Sequence, residues 1–273
     1  MSEVGLALAA AFLRLHQPGS PLLMPNAWDI GSAVLLASLG FEALASTSGG
    51  FAATKGRLDG SMTRNEVLAH VEELVGATEL PLSADLENCF ADDPDGVAAT
   101  ITQAVEAGVA GCSVEDFSGN ADAPIYELVH ATERVRAAAE AAHNGPVSVV
   151  LTARAENYIH GRPDLADTIA RLQAFQEAGA DVLFAPRVVD PGELRQLLNA
   201  VDLPVSVLAT PGAPTVGELA DLGVSRISVG GAFAVAAYGA AVNAAKELRE
   251  QGTYSYWELA GTGGQAIRAA FSR

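Results

Sequence analysis

The chain has 273 residues, 49% of them hydrophobic, and a formal charge of −17 from 33 acidic and 16 basic residues. An acidic excess of that size repels phosphate backbones and anionic headgroups, which argues against nucleic acid and membrane surfaces as partners. A small anionic substrate stays possible where a cation and one or two arginines reverse the sign locally.

The length suits one β/α barrel of about 250 residues over 1–273, with 233–273 as a C-terminal helical extension. The opening stretch MSEVGLALAAAFLRLH lacks a basic leader and is broken by Arg14 and His16 well short of a span of roughly 20 residues, so neither signal peptide nor anchor is expected. The two cysteines, Cys89 and Cys112, have no metal-ligand spacing and suit a reducing compartment; the expected location is cytoplasmic.

Short apolar runs alternate with Ala/Leu-rich amphipathic segments throughout, as repeated βα units of a parallel sheet require. Eight strands are expected, at 22–25, 43–46, 82–85, 111–115, 147–154, 182–186, 205–208 and 226–229. Helices are expected at 95–107 and 165–178, ended by Gly108 and Gly179, and another between an N-cap at Thr215 and Gly223. Eight unbroken units predict a closed (β/α)8 TIM barrel rather than an open doubly wound sheet. After Phe233 an Ala-rich helix and a tail containing Trp257 could pack on the barrel or on a neighbouring subunit.

A barrel carries its chemistry at the C-terminal strand ends. There the sequence places Asn26, Trp28 and Asp29, then Thr47 to Gly50, then Asp85 and Glu87, Glu115 and Asp116, and finally Arg154 and Glu156. Asp85, Glu87 and Glu115 on neighbouring ends cannot all stay ionised in a half-buried pocket without a cation. All-oxygen ligands select Mg²⁺, with Mn²⁺ the alternative. Any one of these acids alone reads equally well as a loop cap.

Arg154 closes the apolar run VSVVLTAR, so its guanidinium needs an anion, from Glu156, Glu115 or a substrate carboxylate. Gly49 and Gly50 would let backbone amides approach a ligand carboxylate, with Ser48 adding a hydroxyl. The five histidines are scattered, and only His160 follows a strand end closely; no base stands near either cysteine to activate a thiolate.

Six segments, MPNAWD (24–29), STSGGFAATKGRLDG (46–60), LSADLENCFADDP (82–94), SVEDFSG (113–119), LTARAENY (151–158) and VLATPGAPTVGELADLGVSRISVGG (207–231), resemble the isocitrate lyase/phosphoenolpyruvate mutase superfamily in order and spacing. The resemblance implies Asp85 as a direct Mg²⁺ ligand, with Glu87 and Glu115 acting largely through bound water. It implies Arg154 on the substrate carboxylate, Ser48, Gly49 and Gly50 at the other end of an oxo-acid, and Asp59 beside substrate and metal waters. The catalytic set is then Arg154, Asp59 and Glu115, and the shared chemistry is an enolate stabilised by Mg²⁺ as a C–C or P–C bond breaks. A homotetramer with an exchanged C-terminal helix is also implied, and 50–60 is the candidate lid.

The chain departs from that pattern where the isocitrate-type lyases carry a Lys-Lys-Cys-Gly-His loop, since residues 117–127 read FSGNADAPIYE. The same stretch has no basic residue for a phosphonate, and Ser206 stands where an asparagine is expected. The expected activity is a lyase or decarboxylase cleaving a C–C bond of a small 2-oxo or 2-hydroxy di- or tricarboxylic acid. The alternatives are a P–C bond enzyme of the phosphonopyruvate hydrolase or phosphoenolpyruvate mutase type, with Lys55 and Arg57 as phosphonate-binding candidates, and a non-catalytic 2-oxo acid binder.

Overall fold

The computed structural model describes residues 3–145 and 147–272. Helix α1 (Glu3–Arg14) leads into β1 (Leu22–Met24), β2 (Asn26–Ala27), α2 (Ile30–Ser38), β3 (Leu44–Ser46), α3 (Ser48–Thr54), α4 (Arg64–Ala77) and β4 (Leu82–Ala84). Next come α5 (Pro94–Glu106), β5 (Gly111–Glu115), α6 (Leu128–His143), β6 (Val150–Arg154), α7 (Leu165–Glu177) and β7 (Val182–Phe184). The chain ends with α8 (Pro191–Ala200), β8 (Val205–Leu208), α9 (Val216–Leu222), β9 (Arg226–Ser228), α10 (Ala232–Gln251) and α11 (Trp257–Phe271).

All strand pairings are parallel, and the ladder runs β1-β9-β8-β7-β6-β5-β4-β3-β2. Its two ends are consecutive in the chain and separated only by Pro25, so the sheet closes on itself. The expected first strand is split there because proline has no N–H to give the ladder, although its carbonyl still accepts from Ala45 N at 3.0 Å. All eight expected strands are present, giving nine segments with this split. The fifth starts later than expected, at Val150 rather than Val147.

Local chemistry sets the helix ends. Thr63 with Glu66 and Thr215 with Glu218 form reciprocal capping boxes. Pro94 and Pro191 each follow an aspartate N-cap, where a missing N–H costs nothing. Gly223 takes the left-handed conformation that stops α9, with φ at 96°.

Helix α1 plugs the N-terminal end of the barrel. Phe12 is fully buried among Leu22, Met24, Ala43, Ala45, Val150 and Val182. It lies so close to β5 that a Cβ on Gly111 would sit 2.7 Å from its ring, so glycine is required there. At the other end of the chain, α11 packs on α2 while Trp257 stays two-thirds exposed. No described helix is long and apolar enough to cross a membrane.

Candidate active site

Alternation along the strands turns Ser83 and Asp85, Ser113 and Glu115, and Thr152 and Arg154 to one side, and all of these but Glu115 line a cavity of about 470 Å³. Barrel interiors are ordinarily filled by branched aliphatic side chains. Here serine, threonine and alanine leave the space open from the mouth down to Met24 and Arg226.

Arg154 is the centre of the mouth. Its Nη1 meets Asp85 Oδ1 at 3.0 Å, its Nη2 meets Glu115 Oε2 at 3.1 Å, and its Nε donates to Glu156 Oε1 at 2.8 Å. Burial works against the charged guanidinium, but these carboxylates, Glu156 first, outweigh it and hold the arginine firmly protonated. Its carbon centre also lies 5.4 Å from the Phe184 ring centroid. Glu156 is fixed from behind: its N–H donates to Asp116 Oδ1 at 2.8 Å, and Arg171 secures Asp116 Oδ2 at 3.1 Å.

The acids exceed the base. Burial drives the Glu115 carboxyl well above its ordinary range, Arg154 only partly offsets this, and Glu156, Asp85 and Glu87 add to the rise. Glu87 is pushed up to about 7 by burial, then by Asp85 and Asp59. Its Oε1 is buried and has no hydrogen-bond partner among the described residues. Glu87 also holds a left-handed backbone, φ 52°, as do Cys89 and Phe90 in the same turn. For residues with a Cβ that conformation costs about 1 kcal/mol or more each and persists only where surroundings enforce it. Here Glu115 N donates to the Glu87 carbonyl at 3.1 Å and Thr100 Oγ1 to that of Cys89 at 2.7 Å.

The donor set fits a hard divalent cation. An unpaired buried carboxylate oxygen beside two further acids is the arrangement a cation neutralises. Asp85 uses one lone pair on each oxygen, toward Arg154 and toward Ser48 N at 3.0 Å, and keeps others free. Asp85 follows the end of β4, Glu87 stands in the turn after it and Glu115 ends the neighbouring β5, and among the described residues no three acidic, histidine or cysteine side chains form a ready-made metal cage. Mg²⁺ suits such a site, because it keeps most of its waters and takes only one or two carboxylates directly.

In the STSGG segment Ser46 ends β3, Thr47 caps α3, and Ser48 to Gly50 form the first turn of that helix. Ser48 and Gly49 line the cavity, and a Cβ on Gly49 would stand 3.1 Å from the Asp59 carboxylate. Gly50 is absent from the lining. Its N–H is taken by Thr47 Oγ1 at 3.3 Å, and a Cβ there would overlap Thr47 and Trp28, so packing demands this glycine. Leu58 and Asp59 overhang the mouth on the exposed stretch after α3.

His160 stacks on Phe117 at 3.9 Å, with Nε2 3.9 Å from Glu156 Oε2. Both cysteines are fully buried, and burial pushes the Cys89 thiol up to about 12, which leaves no thiolate for chemistry. Two arginines escaped the sequence reading as site residues. Arg134, from α6, clamps the Glu87 turn, and Arg226, from β9, forms the cavity floor. The strand alternation that points Arg226 and Ser228 one way and Ile227 the other was the available signal for the second.

A closed parallel barrel that gathers acids and one arginine at its C-terminal strand ends has the form of a barrel enzyme. The family described as phosphoenolpyruvate phosphomutase matches residues 12–249. A solved structure from Burkholderia cenocepacia J2315, named provisionally as a lyase/mutase, is 49% identical and superposes with a TM-score of 0.95 over 100% of this chain and 98% of that one. An uncharacterised protein of Mycobacterium tuberculosis (strain ATCC 25618 / H37Rv) is 31% identical over 88% of this chain and 89% of its own. The 2-methylisocitrate lyase of Escherichia coli K12 is 27% identical over 88% of both. The chain therefore belongs to the phosphoenolpyruvate phosphomutase family, within the isocitrate lyase/phosphoenolpyruvate mutase superfamily of enzymes.

Proposed function

We propose that the protein is a Mg²⁺-dependent lyase or decarboxylase, with Mn²⁺ an alternative ion, that breaks a C–C bond in a small 2-oxo or 2-hydroxy di- or tricarboxylic acid. The observation that carries this is the surplus of carboxylate around Arg154, with Glu87 Oε1 buried and unpaired. Asp85 would hold the ion directly, with Glu87 and Glu115 acting largely through its waters and Asp59 beside them. When bound, the ion supplies positive charge to the oxygen pair of the acid and to the negative charge that develops as the bond breaks.

The rest falls to the chain itself. Arg154 presents a planar fork that can exchange a protein carboxylate for the substrate's and fix its orientation. Ser48 and Gly49 line the same cavity, with Ser48 N donating to Asp85 Oδ2 at 3.0 Å. The Phe184 ring lies over the guanidinium, 5.4 Å from its carbon, and adds a cation–π contact. In a 2-oxo diacid the terminal carboxylate leaves as CO2, and the electron pair of the broken bond stays on the carbon next to the oxo carbon, which then takes a proton; in a 2-hydroxy acid the hydroxyl gives up its proton, its carbon leaves as the carbonyl of one fragment, and the electron pair stays on the other carbon, next to a carboxylate, which takes a proton.

A P–C bond reaction would need cations for the phosphonate. Lys55 Nζ lies 5.3 Å over the Phe51 ring and does not line the cavity; Arg57 reaches the mouth but is held by Glu66 at 3.0 Å. These placements favour the C–C reading.

The test is calorimetric titration with pyruvate, oxaloacetate, 2-oxoglutarate and phosphonopyruvate, each with and without Mg²⁺, followed by product analysis. Metal-dependent binding with release of a shorter carboxylic acid is expected. Turnover of phosphonopyruvate alone would replace the reading with the P–C one. Metal-dependent binding without turnover of any substrate would make the protein a binder. Unchanged activity and metal dependence in Asp85→Ala would remove the site.

A further inference from the structure

Beneath the acids, the cavity ends on Arg226, a guanidinium that is 97% buried by its 3% exposure. Its partners are all neutral. Nε donates to Ser206 Oγ at 2.9 Å and Nη1 to Thr152 Oγ1 at 3.0 Å, and Nη1 lies 3.4 Å from His16 Nε2. His16 cannot supply a counter-charge, since its Nδ1–H is spent on the Phe12 carbonyl at 2.9 Å and an imidazole is at most cationic. Among the described residues no carboxylate lies within ion-pair reach of Arg226, and Nη2 makes no hydrogen bond.

A second group on the same level is also unsatisfied. Ser113 Oγ is buried, lines the cavity and has no partner among the described residues. An unpaired charge so deep is strongly destabilising, and an orphaned hydroxyl adds to that. Burial, and then Arg154, lowers the Arg226 guanidinium to about 9, which still leaves it charged at neutral pH. The floor is thus a charged, half-satisfied polar pocket open toward Arg154.

We infer that the barrel floor is a second carboxylate subsite, in which Arg226 Nη2 and Ser113 Oγ take the far carboxylate of a dicarboxylic substrate whose reacting end lies at Arg154. This deepens the proposed function and rests on its assignment of the oxo-acid end to the mouth. Thr152, which Arg226 touches, is two residues below Arg154 on β6, a drop of roughly 7 Å along a strand. A diacid with two or three carbons between its carboxylates suits two levels of the barrel, whereas the directly bonded carboxyl carbons of oxalate suit one. The subsite therefore selects dicarboxylates by length and charge, with the far carboxylate directed into the barrel rather than out through the mouth.

The experiment titrates oxalate, L-malate, D-malate and succinate into wild type, Arg226→Met, Arg226→Lys and Ser113→Ala, with and without Mg²⁺. Arg226→Met is expected to weaken the best-binding four-carbon acid by about tenfold to a hundredfold, as for loss of a charge-assisted hydrogen bond, and to change oxalate by less than about twofold. Arg226→Lys recovers part of the loss. Ser113→Ala removes a hydroxyl that bonds to nothing, so the fold keeps its thermal midpoint while four-carbon affinity falls about threefold to tenfold.

Equal loss for oxalate and the four-carbon acids in Arg226→Met, or unchanged four-carbon affinity in Ser113→Ala, overturns the subsite. So does failure of wild type to bind any four-carbon acid. The mouth assignment fails separately: there, oxalate binding is indifferent to Mg²⁺ while four-carbon binding still depends on Arg226.

Discussion

Arg134 Nη1 donates to the carbonyl oxygen of Glu115 at 2.9 Å. Its Nη2 reaches the carbonyls of Asn88 at 2.6 Å and Ala91 at 3.0 Å, and its carbon centre lies 4.3 Å from the Tyr126 ring centroid. One side chain from α6 thus ties the end of β5 to the strained turn that carries Glu87. Arg134→Met keeps the stem but strands one buried and two half-buried carbonyls, so a loss of about 2–4 kcal/mol is expected in urea unfolding, together with weaker Mg²⁺ binding. Wild-type stability in this variant would show that the turn holds its shape unaided.

Arg154→Lys tests the mouth. A lysine ammonium is a point charge on a flexible stem and cannot face Asp85, Glu115 and Glu156 at once as the planar guanidinium does. The expected result is a fall in kcat/KM of about a hundredfold, through KM if Arg154 binds the ground state and through kcat if it acts only in the transition state. A lysine variant within about threefold of wild type would assign Arg154 to structure alone.

The barrel could be read from the sequence because its strands are short apolar runs set apart by helices with clear stops, as at Gly108 and Gly179. The positions of Asp85, Glu115 and Arg154 at the mouth could be placed for a related reason: each stands at the end of such a run, where barrel geometry turns it that way, and Glu87 follows in the next turn. Three features were not. The break at Pro25 depends on which carbonyls and amides the neighbouring strands need. Gly50 reads as a ligand-approach glycine, yet its packing against Trp28 emerges only when β2 and α3 meet. Arg226 looks like a polar strand flank until closure brings β9 beside Ser206 and points it across the barrel at Thr152.

The C-terminal helices carry an untouched apolar surface. Phe233, Val235, Tyr238 and Val242 on α10, with Trp257, Leu259 and Ile267 on α11, are exposed, and each helix buries a single alanine. Apolar surface of this extent marks an interface, and a second copy of the same chain is the simplest occupant. Sedimentation equilibrium is expected to show a homo-oligomer, with a tetramer the expected state, and Tyr238→Glu combined with Val242→Glu to shift it toward monomer. A monomeric wild type at micromolar concentration would leave these helices without that role.

His16 gives the protein an acid sensitivity whose sign follows from its burial. Burial, then the Arg226 charge, lowers its imidazole to about 3 against 6.5 when unfolded, while the Phe12 carbonyl opposes the shift only in part. The folded state therefore keeps His16 neutral and the unfolded state protonates it first. The stabilisation is fully present above pH 6.5 and is lost as pH falls toward 3, at about 1.4 kcal/mol for each unit of pH. Between pH 7 and 5 this group alone should cost about 2 kcal/mol. In His16→Gln the amide oxygen can still accept from Arg226 and does not titrate, so the variant is expected to lose that much less than wild type over the same interval in urea unfolding. Equal losses in the two proteins would mean that His16 protonates without disturbing Arg226, and the floor of the barrel would then tolerate a second positive charge.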